Sequence, residues 1–336
     1  MPQITPKWRG QLRFGIQALT LKPFASLASN ARQTVGHPDT ASTKMDRLTS
    51  NSGLAEALSV AATNLGFIRP SSIVACDHSD FNGLMAFVGA VQTKRGRAIP
   101  CLVETTYSPR LPARGDGVPM RKKKMRTAYR QLDYNLYDQA GTALEDFAEK
   151  LGFWPRLVFD RGFGGKKLVR TLVQHEAIFY IRLKAGRLVE LGEERLRVSE
   201  LTTLDEQIDL VGMRLRIVRS DDPETGEPWY ILTSDMRSQR KKVIQIYYHR
   251  FEIEETFKDL KHILDLDQSK LNRPLSLKVV LWLASLSVIL SFLVGWWARK
   301  PAKPRHAKKG LSWFRQFFEA LEREMLQPAC QMITGG

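Results

Sequence analysis

The chain is poor in cysteine. It has Cys76, Cys101 and Cys330, an odd number with no CxxC spacing, which argues against both a disulfide framework and a thiolate zinc site. It holds six histidines, and His78 and His249 have no partners at metal-ligand spacing. The opening residues, MPQITPKWRGQLRFGIQ, lack the continuous apolar run of a signal peptide. No internal repeat is present. The glycine-rich GFGG at 162–165 lacks the full phosphate-loop pattern with its Lys-Ser/Thr, so it reads as a strand-to-helix turn. These absences suit a reducing cytosol. Acidic residues are also short, 35 against 51 Lys and Arg, giving a net charge of +16. Such an excess argues for a polyanionic partner, with nucleic acid first and an anionic membrane surface second.

What is present is a folded protein's composition, 43% hydrophobic and 26% charged over 336 residues. Residues 1–69 read as a helical N-terminal region with polar linker, a candidate DNA-binding segment. Within it GLAEALSVAATNLGFI, from Gly53, has helical spacing, and 29–46 is polar and turn-rich. From Ser71 three β-like runs follow, SSIVACDHSD, LMAFVGAVQ and AIPCLVETTYS, as an antiparallel meander. A basic run, RKKKMR at 121–126, precedes an amphipathic helix over about 128–150. Next come the strand RLVF, a helix near 165–175 and the strand AIFYIRLK. Residues 186–228 alternate short apolar runs with turns and read as a β-rich insertion, closed by WYILTS. The uncharged run 279–298 has about the length that spans a bilayer. It is the only such run and carries three serines, so it reads as a buried central helix. A basic tail, 301–336, carries an amphipathic helix at 312–325, a candidate dimer contact.

Three carboxylates stand out. Asp77 ends the apolar run SIVAC and Asp160 ends RLVF, so both would emerge from strand ends into a shared cleft. Asp80, three residues on, is an alternative to Asp77. The third lies in YYHRFEIEETFKDLKHIL (247–264), read as one helix. With Tyr247 at zero, Arg250, Glu254 and Lys261 fall at about 300°, 340° and 320°. They form a polar stripe bordering the apolar face of Ile246, Ile253, Phe257, Leu260 and Leu264. Glu252, Glu255 and Lys258 fall toward solvent. Asp, Asp and Glu from separate elements suit Mg²⁺ or Mn²⁺, and a pair of such ions can drive phosphodiester displacement.

Tyr247-x2-Arg250-x3-Glu254-x6-Lys261 matches the Y-R-E-K signature of IS4-type DDE transposases at every spacing, and the motifs around Asp77 (VACDHSDFNG) and Asp160 (FDRGFGG) resemble that family's two Asp motifs. The resemblance covers about residues 70–300. It implies an α/β, RNase H-like (retroviral integrase-like) mixed sheet flanked by helices, with the β-rich insertion before the last catalytic helix. It implies Asp77, Asp160 and Glu254 as catalytic metal ligands for a pair of Mg²⁺ or Mn²⁺ ions. Tyr247, Arg250 and Lys261 would contact terminal phosphates. Arg161 and the basic run Lys122, Lys123 and Lys124 are further DNA-contact candidates. A homodimer would bridge transposon ends and join them to target DNA, with no membrane involved. The alternatives are a structure-selective nuclease on the same core and a non-catalytic DNA-binding relic.

Overall fold

The computed structural model describes residues 38–64, 68–93, 96–108, 136–210, 212–223, 225–262, 266 and 271–297. Lys122, Lys123, Lys124, Leu264 and the tail with its helix at 312–325 lie outside them. Two helices come first, α1 (Pro38–Thr49) and α2 (Ser52–Asn64). The first corrects the turn-rich reading of 29–46, for Pro38 stands at the first helical position, where its missing N–H is no loss. The meander follows as β1 (Ile73–Phe81), β2 (Leu84–Gln92) and β3 (Ala98–Tyr107), then α3 (Leu136–Leu151), β4 (Arg156–Phe159), α4 (Lys166–Gln174) and β5 (Phe179–Leu183). The insertion supplies β6 (Leu188–Leu191), β7 (Glu194–Arg197), β8 (Asp205–Leu210) and β9 (Met213–Asp221), and β10 (Pro228–Thr233) closes it. Three helices end the described chain: α5 (Arg240–Tyr248), α6 (Phe251–His262) and α7 (Pro274–Trp297).

All ten strands form one mixed sheet in the order β3-β2-β1-β4-β5-β10-β9-β8-β6-β7. The β1–β4 and β4–β5 pairs are parallel and the rest antiparallel. The strand–helix–strand order predicted for 71–183 is therefore present, and the sheet flanked by helices agrees with an RNase H-like transposase fold. The insertion extends this sheet past β10. The β1–β2 hairpin turns on Asn82 and Gly83, both at positive φ, as a two-residue turn matched to strand twist requires. In the GFGG turn Gly164 packs closely, since a Cβ there would sit 3.0 Å from the end of the Leu183 side chain, which would have to give way.

Two layers cover the sheet. On one face α3 and α4 bury Ala140, Leu144, Phe147, Leu168 and Leu172 against Cys76, Leu157, Phe159 and Phe179. On the other, α1, α2, α6 and α7 pack over Ala75, Ala86 and Val88, while α5 packs over Val158, Tyr180 and Trp229. The apolar α7 buries Leu277 and the run 279–284, and Ser285 donates to the Leu281 carbonyl, meeting its polar need within the helix. Among the described residues, no helix is long and apolar enough to cross a membrane.

Candidate active site

Strand alternation sets the site. Val74 and Cys76 join the α3/α4 core, whereas Ala75 joins the opposite one, so Asp77 projects to the α5/α6/α7 face beside Val88. By the same count Leu157 and Phe159 face α3/α4, and Val158 and Asp160 face α5. The last rung of the parallel β1–β4 ladder is Cys76 with Phe159, so Asp77 and Asp160 are the next pair where that ladder ends. Asp77 is not at a strand end, as the sequence suggested. It lies mid-strand, because β1 continues to Phe81 through its pairing with β2. What ends after Cys76 is the β4 partner, and that opens space at the carboxylate. Asp80 has the opposite parity, and its Oδ1 accepts the Gly83 N–H at 3.1 Å, bracing the hairpin. His78 likewise turns its ring away from Asp77, stacked on Phe163 at 4.9 Å, while its backbone N–H donates to Asp77 Oδ1 at 2.7 Å.

The stretch from Tyr247 is two helices instead of one. At His249–Arg250 the ladder tightens: Arg250 N–H donates to Tyr247 O, Glu252 N–H to His249 O and Ile253 N–H to Arg250 O. The reason lies in packing. Tyr247 is fully buried edge-on to Trp229, with ring centroids 5.0 Å apart, and Ile253 and Phe257 fill the separate core over β1–β3. One straight axis cannot serve both, and the turn between them throws Arg250 inward.

Arg250 is 3% exposed and links the carboxylates. Its Nη2 donates to Glu254 Oε1 at 2.6 Å and Nη1 lies 3.5 Å from Asp77 Oδ2. The guanidinium carbon stands 4.8 Å from the Phe251 ring and 5.7 Å from that of Tyr247. Its Nε and Nη1 are buried with no partner in hydrogen-bond geometry, as is the Tyr247 hydroxyl. Burial opposes the Arg250 charge, but Tyr247, Glu254, Asp160 and Asp77 outweigh it and raise its pKa. Asp77 is pushed up to about 6, chiefly by burial; Arg250 and the His78 N–H lower it, and Asp160 and Glu254 raise it. Burial also pushes the Tyr247 hydroxyl up to about 12. Asp77, Asp160, Glu254, Tyr247 and Arg250 therefore act on one another.

The other predicted residues stand apart from this group. Lys261 lies with its Nζ 5.1 Å from the Phe81 ring, four residues along β1 from Asp77, or about 13 Å of strand. Arg161 is exposed on the turn after Asp160. Glu255 and Lys258 are at the surface as expected and pair with each other. Glu252 is a correction: it is 5% exposed, and its Oε2 accepts the Thr93 N–H at 2.7 Å. The break shifts the helical phase and turns it onto the β2–β3 connection. There Thr256 bonds the Ala98 backbone and Arg97 pairs with Asp259 at 2.6 Å, clamping α6 to the sheet. These contacts join residues some 160 apart, so only Arg97 beside a turn could have hinted at them. Arg182, on the Tyr180 face of β5, is another residue the sequence reading passed over; it adds positive charge near Tyr247, and an arginine in the apolar strand FYIRL was its signal.

Three carboxylates form a hard-oxygen donor set of the kind Mg²⁺ and Mn²⁺ prefer, and Asp77, buried beside like charge, has the Arg250 guanidinium as its neighbouring cation. The donor chemistry fits. Among the described residues, however, no three His, Cys, Asp or Glu side chains stand close enough together to hold a metal ion.

Residues 136–290 match the family model described as transposase DDE domain. The match supports a DDE transposase. It spans Asp160, the α5–α6 break and α7 as far as residue 290, while Asp77 lies outside it. No curated relative matches the sequence.

Proposed function

We propose that the protein is an IS4-type transposase that cleaves DNA at transposon ends and joins the freed 3′-hydroxyl to target DNA. The observation that supports this best is the juxtaposition of Asp77 and Asp160 past the last β1–β4 rung, on the face where the α5–α6 break brings in Arg250 and Glu254. Asp77, Asp160 and Glu254 would hold Mg²⁺ or Mn²⁺, which supplies an activated nucleophile and stabilises the leaving oxygen. Arg250 would hold a phosphate oxygen with the planar fork that suits it, and Tyr247 would donate to another. Lys261 would take the backbone farther along the strand, with Arg161 and Lys122, Lys123 and Lys124 as outer contacts. A dimer would bridge the two ends.

The decisive assay supplies pre-cut duplex ends, cut from the DNA flanking the reading frame, together with Mg²⁺ and target DNA. Joined products are expected. Cutting without joining would identify a structure-selective nuclease, and binding without cutting a relic. Glu254→Ala should abolish cleavage while end binding, read by mobility shift, stays close to wild type; undiminished cleavage would refute the triad.

A further inference from the structure

The contacts of Arg250 are those of a cation already resident among the carboxylates. Its guanidinium touches Glu254 at 2.6 Å and approaches Asp77 at 3.5 Å, and it is enclosed to 3% exposure. Asp160 acts on the same charge. Two of its donor atoms, Nε and Nη1, meet no acceptor in hydrogen-bond geometry although they are buried. Buried donors without an acceptor cost stability, so the guanidinium is left able to gain from a further acceptor. The carboxylates around it, meanwhile, are not drawn together as a metal cluster. Both facts describe a guanidinium that neutralises the site without completing it.

The geometry points to a second role for Arg250: in the DNA-free protein it holds the place between Asp77 and Glu254 that a divalent cation would take, and it yields that place when a DNA phosphate offers its unmet donors a better partner. The inference rests on the metal-dependent reading above. Phosphate is the right trade, because a guanidinium binds it in a bidentate, charge-assisted way that the single contact to Glu254 does not match. Glu254 is the more movable partner, with its side chain 40% exposed. Arg250 leaving Glu254 for a phosphate would free both carboxylates at once. Coupling of this kind is reciprocal: DNA would strengthen cation binding, and the cation would strengthen DNA binding by the same factor. The consequence is an enzyme that is poorly charged with metal until an end is in place, which restrains cutting elsewhere.

The test measures binding of Mn²⁺ to the full chain, by loss of the free-ion electron paramagnetic resonance signal, without DNA. Arg250→Gln should bind Mn²⁺ on the order of tenfold more tightly than wild type, and adding Asp77→Asn to it should remove the gain. Wild type given duplex from the flanks of the reading frame should gain similarly, whereas Arg250→Gln should gain little. Equal Mn²⁺ binding by wild type and Arg250→Gln, both lost on Asp77→Asn, would overturn the placeholder role and leave the metal site standing. Carboxylate-dependent binding in neither would overturn both. If Arg250→Gln fails to fold, Arg250→Lys decides the matter, because a lysine cannot reach both carboxylates with a planar fork. Tighter Mn²⁺ binding by that variant supports the inference and unchanged binding refutes it. Lys150→Gln, paired with Glu56 on α2 and outside the group, is the control for general loss of charge.

Discussion

Asp77 is the residue on which opposing effects converge: burial and two carboxylates favour its neutral form, and Arg250 and the His78 N–H favour the charged one. The balance puts its pKa at about 6, above the ordinary carboxylate value. A raised acid pKa means the folded state binds the proton more tightly, so this stabilisation is complete below about pH 4 and is lost as pH rises through about 6. Without divalent ions, Asp77→Asn should therefore be more stable than wild type above pH 6, by about 1–3 kcal/mol. The gain should vanish near pH 4 in thermal unfolding with chelator. Glu252 and Glu255 offer a second contrast. Glu252→Ala strands the Thr93 N–H and should cost about 1–3 kcal/mol, whereas Glu255→Ala removes surface pairs and should cost under about 1 kcal/mol. Urea titration separates them. Strand parity puts Asp77 and Asp80 on opposite faces of the sheet, which the alternation in SIVACDHSD already contained. The burial of Glu252 was not legible, because it depends on where a helix breaks and on a turn 159 residues away.

At the scale of elements, the β10-to-α5 joint decides where Tyr247 and Arg250 fall. It is tied by Asp235, whose Oδ1 accepts the Arg237 and Ser238 N–H groups and whose Oδ2 accepts the Tyr180 hydroxyl at 2.6 Å. Arg216 adds bonds to the Asp235 and Ser238 carbonyls and pairs with Asp205, so the joint is anchored to the insertion as well. Burial raises the Asp235 pKa, but bonds from Ser238, Tyr180 and Arg237 outweigh it and hold it at about 2. The sign is opposite to that of Asp77: stability from this carboxylate is present above about pH 4 and lost as pH falls through about 2. Asp235→Asn should then destabilise the protein by about 1–2 kcal/mol at neutral pH, the deficit closing below pH 4. Circular dichroism melts across that range would show it. Element order from β1 to β5 was legible because each strand carries an apolar run bounded by turn residues. The break between α5 and α6 was not. No proline or glycine marks it, and the pattern of Ile246, Ile253 and Phe257 continues through it; only the two destinations of those side chains, on different parts of the sheet, force the bend.

For the whole molecule, the charge of +16 is the widest-ranging feature. Binding to any duplex should weaken linearly in log–log terms with salt, since each phosphate neutralised releases counterions. Replacing Lys122, Lys123 and Lys124 together with Ala should reduce that slope by up to about 3, roughly 1 for each phosphate no longer neutralised. Fluorescence anisotropy from low to moderate salt measures it; an unchanged slope would remove the run from the DNA path. Composition argues for a polyanionic partner, and the spacing of Arg250 and Glu254 made their pairing legible. How α1, α2 and α7 share one core with α6 was beyond both, because which apolar faces meet is settled only by packing.

The two ends of the insertion are neighbours: Leu183, last in β5, sits directly across from Tyr230 in β10. A chain that leaves a sheet and returns to the adjoining strand closes as a hairpin would, so the intervening residues make no demand on the strands that carry the carboxylates. They are not dispensable for that. Val189, Ile208, Leu210, Leu215 and Ile217 have become part of the core beneath α3 and α4, and excising the segment would leave that core open to water. The insertion is structural, and shortening this protein for use as a tool would have to begin elsewhere.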